Sequence, residues 1–425
     1  MAPGRRGGAV GQVRPVNAGT MRQVNRQLVL AAIRRHGPIS RAELGHLTGL
    51  SQPAITGIVR ELIREGLVRE IGVGQSSGGR PPILLVFNPT AQYVLAATLE
   101  GDSLRAGVAD LSGQVVAEES LRVDTTRPSR AVQSLIRLLD DLIARIGGGR
   151  SRLAAIGIGV PGIAHAGAGT VSHAPSLGWW KEVPLRERLE RYFKVPVVLE
   201  NDVNLMTLGE YAQGAGAGVE NLVLVHVGLG IGAGILIGGR LYRGARDAAG
   251  EVGYLPFGPW SAARRPGDYG LFEQHYSARG LALRMQAAAG GDLPGVDPDR
   301  AIALLCHYAR MAIPWARALL DDAVRHWAYA VAALACILNP ERVLLAGQIE
   351  QAGEEGLQRI RAHLAGLVPV PPEVRFASLG ARAGLVGAVA IALAAVQDPP
   401  LADLPPLPGE GRLDRPSAAD AELHG

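Results

Sequence analysis

The chain has 425 residues, 48% of them hydrophobic, enough for two or three domains that each bury a core. Its two cysteines, Cys306 and Cys336, sit in apolar helical stretches without a Cys-x-x-Cys partner, which argues against a disulfide framework and for a reducing interior, the cytoplasm. The formal charge of +4 conceals a partition: residues 1–90 carry 12 Arg and 4 Glu with no Lys or Asp, a net +8, and the remainder is net −4. Positive charge gathered in the first fifth suggests a nucleic-acid-facing module attached to a neutral or acidic one. The N-terminus "MAPGRRGGAVGQVRPVNAGT" has no apolar h-region, and the longest apolar runs, such as "AVAIALAAV", fall well short of about 18 residues. Neither export nor a membrane span is expected.

Residues 1–20 read as a disordered basic tail. From Asn25 the spacing of Leu28, Leu30 and Ile33 predicts a helix, stopped by Gly37-Pro38, and Ser40 can cap the next helix, "RAELGHLTG", which ends at Gly49. A third helix starts at Ser51 and carries Pro53 in its first turn, where the missing N–H is harmless. Two short helices around a Gly-containing turn form a helix-turn-helix, whose second member lies in the major groove. Ala54, Ile55, Ile58, Val59 and Leu62 would form its packed side. Gln52, Thr56 and Arg60 are then free to meet bases or phosphates, with Ser51 and Pro53 at the helix start. The runs "LVREIGVG" and "RPPILLVFNP" around "QSSGG" predict a β-hairpin wing, and Arg80, fixed by the prolines after it, suits a narrow minor groove. A winged helix-turn-helix over residues 21–88 is the reading; a three-helix protein-interaction module is the alternative.

After Asn88-Pro89 the pattern becomes strand, turn, strand, then helix and strand in alternation, and "NLVLVHVGLGIGAGILIGGRLYRG" restarts it. That scheme, twice over, predicts two α/β lobes with a cleft between them, where small molecules bind. The glycines Gly228, Gly230, Gly232 and Gly234 could approach a phosphate, but the stretch lacks a P-loop Lys and leads into no helix, so a tight hairpin fits as well. Asn201-Asp202 ends a strand at the expected cleft, Glu251 lies in "AAGEVGYLPFG" and Glu273 in "GLFEQHYS". Short acidic and amide side chains accept or share several hydrogen bonds with sugar hydroxyls, often beside an aromatic face such as Trp179 or Trp180. By spacing alone each Glu is equally a solvated surface residue.

Taken together, "APSLGWWKEVPLRERLE", "LENDVNL", "GIGAGILIGGRLYRGA", "AGEVGY", "NPERVLLAGQI" and "LGARAGLVGAVAIAL" resemble the ROK family (repressor, open reading frame, kinase), from about Asn25 to Val396, and look most like its xylose-repressor branch. The resemblance implies an α/β fold: a winged helix-turn-helix followed by a two-lobed, actin/hexokinase-type sugar-kinase domain over residues 89–397. Residues 398–425, Pro-rich and poor in aromatics, read as disordered. The family's sugar contacts correspond to Asn201, Asp202, Glu251 and Glu273, with Tyr254 in place of its usual His and Ser176 in place of an Asn.

The phosphate side of the resemblance departs from the kinases. Their Asp-x-Gly-Gly-Thr turn reads Thr98-Leu99-Glu100-Gly101-Asp102, their Gly-Thr-Gly reads Gly228-Leu229-Gly230, and the adenosine segment reads Ala346-Gly347-Gln348. Phosphoryl transfer depends on positioning and charge neutralisation, so the changes imply no catalysis. The family's structural zinc, held by that His and three cysteines, is not expected either, because "PWSAARRPGDYGLFE" has no Cys. The expectation is therefore a sugar-responsive repressor without cofactor, its effector xylose or a related sugar. Its partner would be operator DNA, bound as a homodimer or a dimer of dimers. The alternatives are a sugar kinase with an appended DNA-binding domain and a constitutive DNA-binding protein with a vestigial sugar site.

Overall fold

The computed structural model describes residues 18–74, 81–165, 167–172, 183–257, 269–290, 293 and 295–396, and these divide into two compact units, one ending at Ala91 and the other spanning Gln92–Val396. No helix among them is long and apolar enough to cross a membrane.

The first unit runs α1 (Ala18–His36), β1 (Ile39–Ser40), α2 (Arg41–Thr48), α3 (Gln52–Arg64), β2 (Val68–Val73) and β3 (Ile83–Phe87). Helix α1 starts seven residues before Asn25, so the last three residues of the expected tail are helical. Its first turns are exposed and carry no apolar period; ion pairs of Arg22 with Glu61 and Arg26 with Glu65 tie it to the α3 region instead. Helix α2 begins in a capping box: Ser40 Oγ accepts from the Glu43 N–H at 3.3 Å, and Glu43 Oε2 accepts from the Ser40 N–H at 2.8 Å. Gly49, at φ +69°, ends α2 in the left-handed conformation that glycine adopts without steric cost. Ile55, Ile58, Val59 and Leu62 of α3 are buried with Val29, Ile33, Leu44 and Leu85, and Ala54 is half-buried. The strands form an antiparallel sheet in the order β1-β3-β2, the hairpin wing of the sequence reading. Its tip, with Arg80, lies outside the described residues.

The second unit opens with β4 (Tyr93–Glu100), β5 (Ser103–Asp110), β6 (Val115–Arg122), α4 (Pro128–Ala144), β7 (Leu153–Val160), β8 (Ile163–His165), β9 (Thr170–Ser172), α5 (Leu185–Phe193) and β10 (Val197–Asn201). After α6 (Asp202–Gln213) come β11 (Leu222–Val227), β12 (Ile231–Ile237), β13 (Arg240–Leu241), α7 (Leu271–Tyr276), α8 (Ala278–Ala288), α9 (Ala301–Arg310), α10 (Pro314–Leu338), β14 (Arg342–Gly347), α11 (Gly353–Ala365), β15 (Glu373–Phe376) and α12 (Ala383–Val396). The two five-stranded sheets share one topology. In β10-β7-β4-β5-β6 and in β13-β12-β11-β14-β15, the first strand is central, a meander flanks it on one side and two parallel strands flank it on the other. These are the two lobes that the repeated strand and helix pattern predicts.

Helix α6 stands between the lobes. One side presents Val203 and Thr207 to β12, where Gly232 and Gly234 leave room; a Cβ on Gly234 would collide with Thr207 Oγ1. The other side meets α12, which returns from the second lobe to pack Leu385, Ala388 and Ala392 on the first lobe's sheet with Leu205. The crossing is close because it is made at glycines: a Cβ on Gly209 would strike the Ala383 carbonyl, and one on Gly387 that of Leu205. Two chain segments therefore connect the lobes, one after α6 and one before α12. Glu210, fully buried, holds both: its carboxylate accepts from the Ala215 N–H (2.8 Å) in the first and from the N–H groups of Ser378 (2.9 Å) and Leu379 (2.6 Å) in the second.

Candidate functional site

The DNA-facing candidates Ser51, Gln52, Pro53, Thr56 and Arg60 are all exposed, the first three at the start of α3 and the other two along it. The apolar period accounts for Thr56 and Arg60, since a helix that buries Ile55, Ile58, Val59 and Leu62 turns positions 56 and 60 away from that stripe, whereas Ser51, Gln52 and Pro53 are exposed at the helix start.

In the second unit, a cavity of about 160 Å³ lies between the lobes and is lined by Asn201, Asp202, Glu251, Tyr254 and Glu273, five of the six residues expected to contact a sugar. Ser176 lies outside the described residues, as do Trp179, Trp180 and most of the segment that replaces the zinc cysteines. Asn201 and Asp202 reach the cavity because β10 ends there and α6 begins. Asn201 caps α6: its Oδ1 accepts from the Asn204 N–H at 3.0 Å, and its Nδ2 donates to the Gly162 carbonyl at 2.9 Å, leaving the second amide hydrogen outside these two bonds. Asp202 Oδ1 accepts from the Val203 N–H at 2.9 Å. Burial pushes the Asp202 carboxyl up to about 7, aided by the negative charges of Glu100 and Glu251.

Glu273, on α7, reaches the turn between β11 and β12. Its Oε2 accepts from the Ile231 N–H at 2.8 Å, and a Cβ on Gly230 or on Gly253 would come within 3.0 Å of that oxygen. Burial raises its pKa, while Arg279 works in the opposite direction. The "GLGIGAG" stretch is thus a tight hairpin, closed by the Gly228 N–H on the Gly230 carbonyl at 2.9 Å. Gly232 and Gly234 belong to β12 rather than to a loop.

Several lining residues had no clear signal in the sequence. Arg279 donates to the Tyr269 hydroxyl at 2.6 Å and sits over its ring. His226, the one polar residue in the run "LVLVHV", packs its ring where a Cβ on Gly228 or Gly347 would otherwise stand, and its Nε2 lies 3.8 Å from Glu100 Oε1. Burial lowers the His226 pKa, opposed by Glu100. A polar residue inside an apolar strand was the available clue. The cavity thus gathers carboxylates fixed by backbone N–H groups, those of Asp202 and Glu273, together with the imidazole of His226 and the carboxylate of Glu100.

A winged helix-turn-helix followed by a duplicated, two-lobed sugar-kinase fold with an acidic interlobe cavity is the class that this architecture defines. The profile of the ROK family matches residues 95–395, and that of the MarR family, a helix-turn-helix type, matches residues 27–75. The chain belongs to the ROK family. It is 31% identical over 355 residues to the xylose repressor of Caldicellulosiruptor bescii, covering 80% of this chain and 87% of that protein. Among solved structures, a ROK family transcriptional regulator described as a homologue of the E. coli MLC protein superposes with a TM-score of 0.75 at 25% identity, over 89% of this chain and 97% of that one. A ROK family glucokinase from Streptomyces griseus, solved with glucose and AMPPNP, matches with a TM-score of 0.59 at 28% identity, over 71% of this chain and 99% of the enzyme.

Proposed function

We propose that this chain is a sugar-responsive transcriptional repressor of the cytoplasm. Its winged helix-turn-helix would bind operator DNA as a homodimer, and its kinase-type domain would bind a free sugar, xylose or a related one, without transferring phosphate. Two-fold half-sites about 34–36 Å apart, or a multiple, would fit one α3 per protomer. The names of its relatives support the DNA-binding reading. One observation supports the non-catalytic one: Glu100, in the turn that resembles the kinases' phosphate-holding turn, lines the cavity 3.8 Å from His226 and acts repulsively on Asp202, which places negative charge where phosphates would need it neutralised. Asp202 is then a grip for a sugar hydroxyl, together with Asn201, Glu251, Tyr254, Glu273 and Ser176. Lobe closure on the sugar would move the DNA-binding units; a hundredfold release of DNA requires about 2.7 kcal/mol of differential affinity between the two states.

A second reading, a sugar kinase with an appended DNA-binding domain, is favoured by one feature: a carboxyl with a pKa of about 7 is well matched to general-base work at neutral pH. Incubation of the purified protein with ATP, Mg²⁺ and D-xylose or D-glucose separates the two. The repressor reading expects no sugar phosphate, whereas turnover lost in Asp202→Asn would replace it with the kinase.

A further inference from the structure

We infer that Arg243 is a positioning residue that holds the two halves of the sugar-contact set in register across the lobes. The inference rests on reading the cavity as a sugar site. Glu200 immediately precedes Asn201-Asp202 on β10, in the first lobe, and is 2% exposed. Its Oε1 accepts from the Asn201 N–H and from Asn204 Nδ2, both at 2.9 Å, and its Oε2 accepts from Arg243 Nε at 2.7 Å. Arg243 belongs to the second lobe, in the loop that leaves β13. Its own carbonyl accepts from the Ala249 N–H at 3.1 Å, two residues before Glu251. Gly250, between them, is fixed in turn by its carbonyl on the Ala233 N–H of β12 at 2.8 Å. One residue therefore binds the strand end that carries Asn201 and Asp202 through its side chain, and the loop that carries Glu251 through its backbone.

The physical consequence follows from burial. Without the guanidinium, the buried Glu200 carboxylate keeps two amide donors among the described residues, both on one of its oxygens, and a buried charge left uncompensated is displaced. Because Glu200 also orders Asn201 and Asn204, its movement would displace the start of α6, where Asp202 lies. A role limited to fold stability would lower the melting temperature without altering the lobe separation or the sugar site.

The test uses the full chain with spin labels on exposed positions of each lobe, Arg137→Cys and Gln358→Cys, in a Cys336→Ser background because Cys336 is exposed and Cys306 is buried. Distances are measured without sugar, and affinities for D-xylose and D-glucose by calorimetry. Arg243→Met should broaden the interlobe distance distribution and weaken binding of whichever sugar the parent binds at least tenfold. Adding Glu200→Gln should cost less than a further twofold, and Arg243→Lys should restore part of the loss. An unchanged distance distribution, or affinity losses that simply multiply, would overturn the inference. If the parent binds neither sugar, the reading of the cavity as a site for these sugars fails, and the distance distribution alone decides the role of Arg243. Should Arg243→Met not fold, Glu200→Gln, which keeps the side-chain size, gives the same two readouts.

Discussion

Two groups of residues line the interlobe cavity, and they are furnished differently. In the first, a strand terminus and a helix start deliver Asn201 and Asp202, and backbone N–H groups of Val203 and Ile231 hold the carboxylates of Asp202 and Glu273. In the second, the β4–β5 turn carries Glu100, and the ring of His226 takes the space beside Gly228 and Gly347. Glycine-rich turns occur in both, and the charges beside those turns differ. Glycines therefore indicate where the chain approaches closely, and the charges beside them indicate what can be bound.

Four perturbations sharpen that contrast. The largest effect is expected from Glu210→Ala, which strips both lobe connections of their common buried acceptor and takes the partner from the N–H groups of Ala215, Ser378 and Leu379. A loss on the order of 4 kcal/mol is expected, and calorimetry should record a melting temperature lower by roughly 8 °C or more. Asp202→Asn should weaken sugar binding about a hundredfold, roughly 2.7 kcal/mol, while operator affinity measured without sugar stays as it was; equal losses in both would dissolve the separation of sensor and reader. The third test is pH. Asp202 has a folded pKa of about 7, above its unfolded value, so it is largely protonated below pH 7 and a full hydrogen-bond acceptor above it. Sugar affinity should therefore rise through pH 6–8, by up to about tenfold, and be flat in Asp202→Asn. The same raised pKa makes this carboxyl subtract stability as pH increases from about 4 to 7. The smallest effect belongs to Glu100→Gln: with one repelling charge removed, the midpoint of that affinity profile should move to lower pH, and an unmoved midpoint would mean that Glu100 does not act on Asp202.

Much of the DNA-facing unit was legible in the sequence because α3 has a strict apolar period, and burying Ile55, Ile58, Val59 and Leu62 leaves few choices for the opposite side. The cavity was legible where strand ends coincide with polar pairs, as at Asn201-Asp202. Other features were hidden for physical reasons. Helix α12 is apolar on every side, wedged between a sheet and α6, so no periodicity shows which lobe it joins. Arg243 and Glu210 act through partners tens to hundreds of residues away, across chain crossings that local patterns cannot express. Gly232 and Gly234 looked like loop residues because close helix-on-strand packing and tight turns draw on the same amino acid.

The central claim is that the cavity senses a sugar rather than phosphorylating it. Fluorescence anisotropy on labelled DNA from beside the gene tests this most directly, with D-xylose and a panel of free sugars titrated in the absence of ATP. The account predicts that at least one sugar lowers DNA affinity, and that Glu251→Gln retains DNA binding but loses the response. No release with any sugar, or release that occurs only while ATP is consumed, would contradict it.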